Sequence, residues 1–157
     1  MKKLKGFTLV ELMVVVSIIA ILTAIVLANL GQSRAKSRDA KRVSDVNQIQ
    51  LALTLFFDRC NTYPTGPLTP ASSVAGCSFD FSSFLSKIPT DPTGSAYLYA
   101  VDCANSPVTD FHLGTVLETT SASLQDKVGF NSSALAWCGG FNGTNAGNPK
   151  IYDVRSH

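Results

Sequence analysis

Residues 5–30 read KGFTLVELMVVVSIIAILTAIVLANL, and this stretch decides the architecture of the 157-residue chain. From Leu12 to Leu30 it carries no charge, and its only polar members are Ser17, Thr23 and Asn29. As a helix this run extends about 28 Å at 1.5 Å per residue, close to the roughly 30 Å hydrocarbon core of a bilayer. The β-branched residues Val14–Val16 and Ile18–Ile19 are weak helix formers in water. In lipid they are tolerated, because every backbone group must pair within the segment. Lys2, Lys3 and Lys5 precede the run. A cleaved secretory signal also starts basic and continues apolar. Its apolar core is only about 7–15 residues long and closes on a small-residue cleavage site. Here the run is longer and no A-x-A pattern ends it, so a membrane span is expected.

Working outward, the composition changes sharply. All seven prolines, nine of the eleven glycines and all four cysteines lie at or beyond residue 60. Charged residues make up 15% of the chain and the formal net charge is +2. That length excludes a large multidomain enzyme, that charge disfavours a nucleic-acid binder relying on overall basicity, and an apolar share of 45% disfavours ordinary disorder.

Glu11 is the anomaly at the head of the apolar run. A carboxylate costs up to about 2.5–3.5 kcal/mol at mid-membrane and less toward an end. Either it stays hydrated at the interface, or it meets a cation in the same low-dielectric layer. No Lys or Arg lies between Lys5 and Arg34. The remaining source of positive charge is a new α-amino group, made by cutting the chain just before the run.

Lys5-Gly6-Phe7-Thr8-Leu9-Val10-Glu11-Leu12, with its basic leader and the long apolar run that follows, resembles the processing motif of type IV pilins and pseudopilins. The resemblance implies cleavage between Gly6 and Phe7 by a prepilin peptidase, and N-methylation of the new Phe7 amine. It also implies pairing of Glu11 with the Phe7 amine of a neighbouring subunit during assembly. The physics agrees, since an unpaired buried carboxylate is far costlier than one beside an ammonium. Cleavage would remove three lysines and take the formal side-chain charge from +2 to −1.

Beyond the span, Arg34, Lys36, Arg38, Lys41 and Arg42 are offset only in part by Asp39 and Asp45. This cluster is read either as a solvated helical face or as a surface for anionic headgroups, nucleic acid or acidic neighbours. Five basic residues after the span against three before it favour a cytoplasmic C-terminus by charge count. The cysteines and the processing motif argue for a head outside, and that orientation is adopted. From Val43 the apolar positions Val46, Ile49, Leu53, Phe56 and Phe57 recur at three- and four-residue steps. One helix from about Phe7 to Arg59 is expected, with Gly31 as its only internal weak point and Asn61-Thr62-Tyr63-Pro64 as its stop. In the family this helix bundles at the filament centre while the heads face outward.

The head is expected to hold a loop over Pro64–Gly76 and a short helix around Phe79–Lys87. A turn cluster at Pro89–Gly94 follows, then strands near Tyr97–Val101, Phe111–Glu118 and Ile151–Val154. Ile88–Tyr99 (IPTDPTGSAYLY) resembles the stretch before the sheet in major pseudopilins of type II secretion. Cys60, Cys77, Cys103 and Cys138 show no C-x-x-C spacing, so two disulfides are preferred to a zinc or redox site. Three connectivities are open. The expected one joins Cys60 to Cys77, pinning the loop to the helix end, and Cys103 to Cys138.

Catalytic signatures are missing. The two histidines, His112 and His157, form no metal-ligand pair, and no G-x-S-x-G or phosphate-loop pattern occurs. Gly139–Gly143 lacks the lysine of a phosphate loop and reads as a surface turn. A Cys–His112 nucleophilic pair is disfavoured by oxidation of the thiols. No cofactor is expected beyond calcium, which some pseudopilins bind near the C-terminus. Its candidates here are Asp126, Asn131, Asn142 and Asn145, without EF-hand spacing. Asn131 and Asn142 also open glycosylation-type triplets.

The resulting reading is an α+β chain: a long N-terminal helix, membrane-spanning then amphipathic, packed on a small antiparallel sheet. Its parts are a leader at 1–6, a filament-core span at 7–30, an amphipathic continuation at 31–60 and a head at 61–157. The function read first is a non-enzymatic subunit of a type IV pilus-like filament. The alternative is a pseudopilin of a type II secretion or DNA-uptake machine, and last comes a monomeric membrane-tethered binding domain. Expected partners are copies of itself, a prepilin peptidase, an inner-membrane assembly platform and minor pilins, with nucleic acid or secreted cargo undecided. Before assembly the chain would be a single-pass inner-membrane protein. Afterwards it would lie in an extracellular pilus or a periplasmic pseudopilus.

Overall fold

The computed structural model describes residues 6–119, 137–140 and 150–156. Helix α1 runs from Leu9 to Cys60. Thr8 starts it as the N-cap: its hydroxyl accepts the Glu11 N–H at 3.3 Å, and its carbonyl accepts the Leu12 N–H at 3.3 Å. Gly31 does not interrupt it. The helix stops where Asn61 adopts φ 54° and returns its N–H to the Phe57 carbonyl at 2.7 Å, an Asn-type left-handed cap.

The chain divides into two compact units, Met1–Ala35 and Lys36–His157. In the first, the side chains along the apolar run are exposed all round the helix. In the second, β1 (Leu98–Val101), β2 (Phe111–Leu117) and β3 (Lys150–Arg155) form an antiparallel sheet in the order β1-β2-β3. Leu98 lies opposite Gly114 and Val101 opposite Phe111, while Leu113 lies opposite Val154 and Thr115 opposite Tyr152.

The core follows from these two periodicities. Val46, Ile49, Ala52, Leu53 and Phe56 form one stripe of α1. Phe111, Leu113 and Leu117 point to one face of β2 and join them, together with Val101, Val108, Tyr63 and Tyr152. Each such large side chain contributes about 1.5–3 kcal/mol by leaving water. The fold class is therefore α+β, as the patterning indicates.

The segment expected to be a helix around Phe79–Lys87 is instead a single 3-10 turn at Phe81–Ser83. Asp80 caps it through Ser83 N–H at 3.2 Å and the Ser82 and Ser83 hydroxyls. Serines beside an aspartate favour such local bonds over helix propagation. Phe81 and Phe84 then pack on Phe56, with ring centroids 6.1 and 5.8 Å away. Tertiary packing sets the turn.

Disulfides join Cys60 to Cys77 and Cys103 to Cys138, with Cα–Cα distances of 5.3 and 5.8 Å. The first ties the end of α1 to the following loop. The second holds the Cys138 segment against β1, where Val101 and Cys138 exchange backbone hydrogen bonds of 3.2 and 3.0 Å. Gly139 continues that contact, and its role was not evident from a glycine-rich loop. Its φ is +78°, and a Cβ there would lie 2.7 Å from the Tyr99 carbonyl oxygen. Only glycine fits so close to the strand.

Candidate assembly interface

In the N-terminal unit Leu9, Leu12, Val15, Ile19, Leu22, Val26 and their neighbours are all exposed. An all-round apolar helix needs lipid or other helices around it. Its polar side chains are settled within the helix. Ser17 donates to the Val14 carbonyl at 2.8 Å, Thr23 to Ile19 at 2.7 Å, and Asn29 to Ile25 at 3.1 Å. Such back-bonding is what a polar residue requires where water is absent.

Glu11 stands on the first turn of this helix and is exposed. The spacing Thr8-Leu9-Val10-Glu11 is that of a capping box, a cap signal the chain carries beside its processing motif. Among the described residues the Glu11 carboxylate meets no cation. Gly6 and Phe7 precede the helix, and both are exposed.

The basic cluster is not one common patch, and Arg42 departs from both readings of it, the solvated helical face and the docking surface. Arg42 is buried. Its guanidinium fork grips Asp91, with one N–H at 3.0 Å and a shorter contact through Nε. Its third nitrogen donates to Asp39 and to Glu118, each at 2.7 Å. Arg38 also binds Glu118, through Nε at 2.8 Å and through its terminal nitrogen. Lys41 pairs with Asp45 at 3.0 Å, and the Tyr97 hydroxyl donates to the same carboxylate at 2.7 Å. Arg34 and Lys36 alone of the five remain exposed and unpaired among the described residues.

This cluster fastens three chain segments together. Asp39 on α1 accepts the backbone N–H groups of Glu118 and Thr119 at 2.9 and 2.8 Å, where the chain leaves β2. Asp91 holds the turn before β1 through Thr93 N–H at 2.7 Å. Hydrogen bonds from Arg42 hold the Asp91 carboxyl well below the usual carboxylate range, against the opposing effect of burial. Hydrogen bonds from Arg38 and Arg42 bring the Glu118 carboxyl down to about 2. Burial pushes Asp39 upward, but its donors at Glu118, Thr119 and Arg42 leave it lowered on balance. The Arg42 guanidinium is raised, chiefly by Asp91.

Elsewhere, His112 Nε2 lies 3.0 Å from the Asp153 carboxylate, and both are fully buried. All four thiols are in disulfides, so no Cys–His112 pair forms. The calcium candidates Asp126, Asn131, Asn142 and Asn145 lie outside the described residues, as does His157. Among the described residues no group of three His, Cys, Asp or Glu side chains is placed to hold a metal.

Residues 1–27 match the family described as the prokaryotic N-terminal methylation motif. The type II secretion system core protein G of Vibrio cholerae is 30% identical over 120 residues, covering 73% of this chain and 82% of that protein. The chain belongs to the core protein G family, the major pseudopilins of type II secretion. Core protein G of Aeromonas hydrophila is 31% identical over 103 residues, covering 61% of this chain and 72% of that one. Core protein G of Escherichia coli is 30% identical over 103 residues, with coverage of 61% and 71%. No solved structure gives a significant match. Membership of the core protein G family favours the secretion pseudopilin, given second in the sequence analysis, over the surface pilus given first.

Proposed function

We propose that this chain is the main subunit of a periplasmic pseudopilus in a type II secretion system. A prepilin peptidase cuts between Gly6 and Phe7. The apolar helix then holds the subunit in the inner membrane, head outside, until an assembly platform draws it into a helical polymer of like chains and minor subunits. The observation that carries this reading is the uncovered apolar helix bearing one carboxylate, Glu11, that meets no cation among the described residues. Moving such helices from lipid into a shared core preserves their apolar surroundings. A single charge pair between Glu11 and the Phe7 amine of the next copy then selects one stagger among many, because every other stagger leaves a carboxylate unpaired in a dry layer.

Glu11→Ala tests this. The variant should remain in the membrane fraction and lose most of its polymer, measured by crosslinking in cells that carry the secretion machinery. Wild-type polymer yield from it would defeat the staggering role. Gly6→Arg should leave an uncut precursor, detected by intact mass. A native chain that keeps its first six residues beside an active peptidase would remove the processing step. Electron microscopy distinguishes this assignment from a long surface pilus.

A further inference from the structure

We propose that the head carries a socket for a ridge on a second copy of the same chain, so that head contacts add a specific register to the helix-driven polymer. The inference rests on the assembly reading above and adds to it a defined contact. The socket is a cleft of about 630 Å³ in the head, floored by Ile49 of α1 and Leu113 of β2. Its walls include Leu68, Ile88, Tyr97 and Leu98. The hydroxyls of both tyrosines in this cleft are already engaged, Tyr97 with Asp45 and Tyr99 with the Pro64 carbonyl at 2.9 Å. The cleft therefore presents their apolar rings. A dry cavity of about 150 Å³ accepts benzene, so this one has room for two leucine side chains. The charge on its wall is Lys87, exposed and without an ion pair among the described residues.

The ridge is on the same unit and faces the other way. Leu51 and Leu55, one turn apart, are 61% and 46% exposed. At about 100° per residue they lie roughly 200° and 240° around α1 from Ile49, on the side turned away from the sheet. Asp58 lies about 180° from Ile49, beside them, and is likewise exposed and without an ion pair among the described residues. Arg59 follows it about 100° further round, at the carboxyl end of the helix, where a cation is favoured.

Two leucines and a carboxylate on one side thus match an apolar cleft and an ammonium on the other. Because ridge and socket occupy opposite sides of one head, one copy cannot satisfy itself. Two copies related by a twofold axis would need both contacts to close at once. A repeated one-way contact instead propagates as an open helical array, the geometry a filament needs. Opposite charges at such a contact fix register and direction more than they add affinity.

Charge exchange tests the contact in the full-length chain, expressed with its secretion machinery and measured beside the wild type. Asp58→Lys alone and Lys87→Asp alone should each lower polymer yield by about fivefold. The double variant, which restores opposite signs, should recover to within about twofold of wild type. Both residues are exposed, so the melting temperature of each variant should be unchanged. Leu55→Asp should lower yield at least as far, with no recovery from Lys87→Asp. Undiminished yield from the single reversals, or no recovery in the double, overturns the socket. Failure of the wild-type chain to polymerise with its machinery would sink the assembly reading as well, a distinct outcome.

Discussion

Arg42→Ala is the most informative perturbation of the head. In the wild type one guanidinium satisfies Asp91 by a two-pronged contact and bridges to Asp39 and Glu118 at 2.7 Å each. Alanine removes the cation and leaves two buried carboxylates, Asp39 and Asp91, without a counter-charge. Glu118 keeps Arg38, Asp39 keeps its Glu118 and Thr119 donors, and Asp91 keeps Thr93. Breaking a buried pair from one side costs about 3–5 kcal/mol. Against a total stability of about 5–15 kcal/mol this is a large fraction. For a head of this size it corresponds to a fall of about 10–20 °C in melting temperature.

Thermal unfolding of the detergent-solubilised chain, followed by circular dichroism, reads this directly. Acid supplies the second arm. Asp39, Asp91 and Glu118 are all lowered in the folded state, Glu118 from 4.5 to about 2. Their contribution is complete above the unfolded carboxylate range and is lost as pH falls through the folded values. Wild-type stability should therefore decline between about pH 4.5 and 2, and Arg42→Ala should flatten that decline. Arg42→Lys keeps the charge but not the fork, and should fall between the two. An Arg42→Ala melt within about 2 °C of wild type, with an unchanged acid slope, would refute the cluster's role.

Two further outcomes follow from the packing at the second disulfide and the helix end. Gly139→Ala should lower stability by about 1–3 kcal/mol, read by the same melt, because the left-handed φ and the Tyr99 carbonyl both oppose a side chain. Replacing Cys60 and Cys77 together by serine should cost about 3 kcal/mol for a closed loop of this length. Equal melting of reduced and oxidised protein would remove that contribution.

The long helix, its stop at Asn61, the three strands and the apolar stripe from Val46 to Phe56 were all legible in the chain. Each is written in a local period or a turn residue. The 3-10 turn at Phe81–Ser83 was not, since Asp80 capping and aromatic packing on Phe56 overrode the expected helix. Nor was the ion cluster. Arg38 and Arg42 lie next to other cations in the sequence, while their partners Asp91 and Glu118 are about fifty and eighty positions away. Thr8 did leave a local signal, the T-x-x-E spacing, which points to a cap as well as to a charge partner.

The apolar length, the lone carboxylate and the Gly6-Phe7 step that resembles a prepilin motif are legible in the sequence by itself, because the cost of unpaired charge and exposed hydrocarbon can be read residue by residue. Which cations are buried, where Gly139 must stay small, and which side chains line the cleft over Ile49 depend on segments remote in sequence meeting in space. Pairwise burial and hydrogen bonding have no local period, so they emerge only when the sheet closes on the helix.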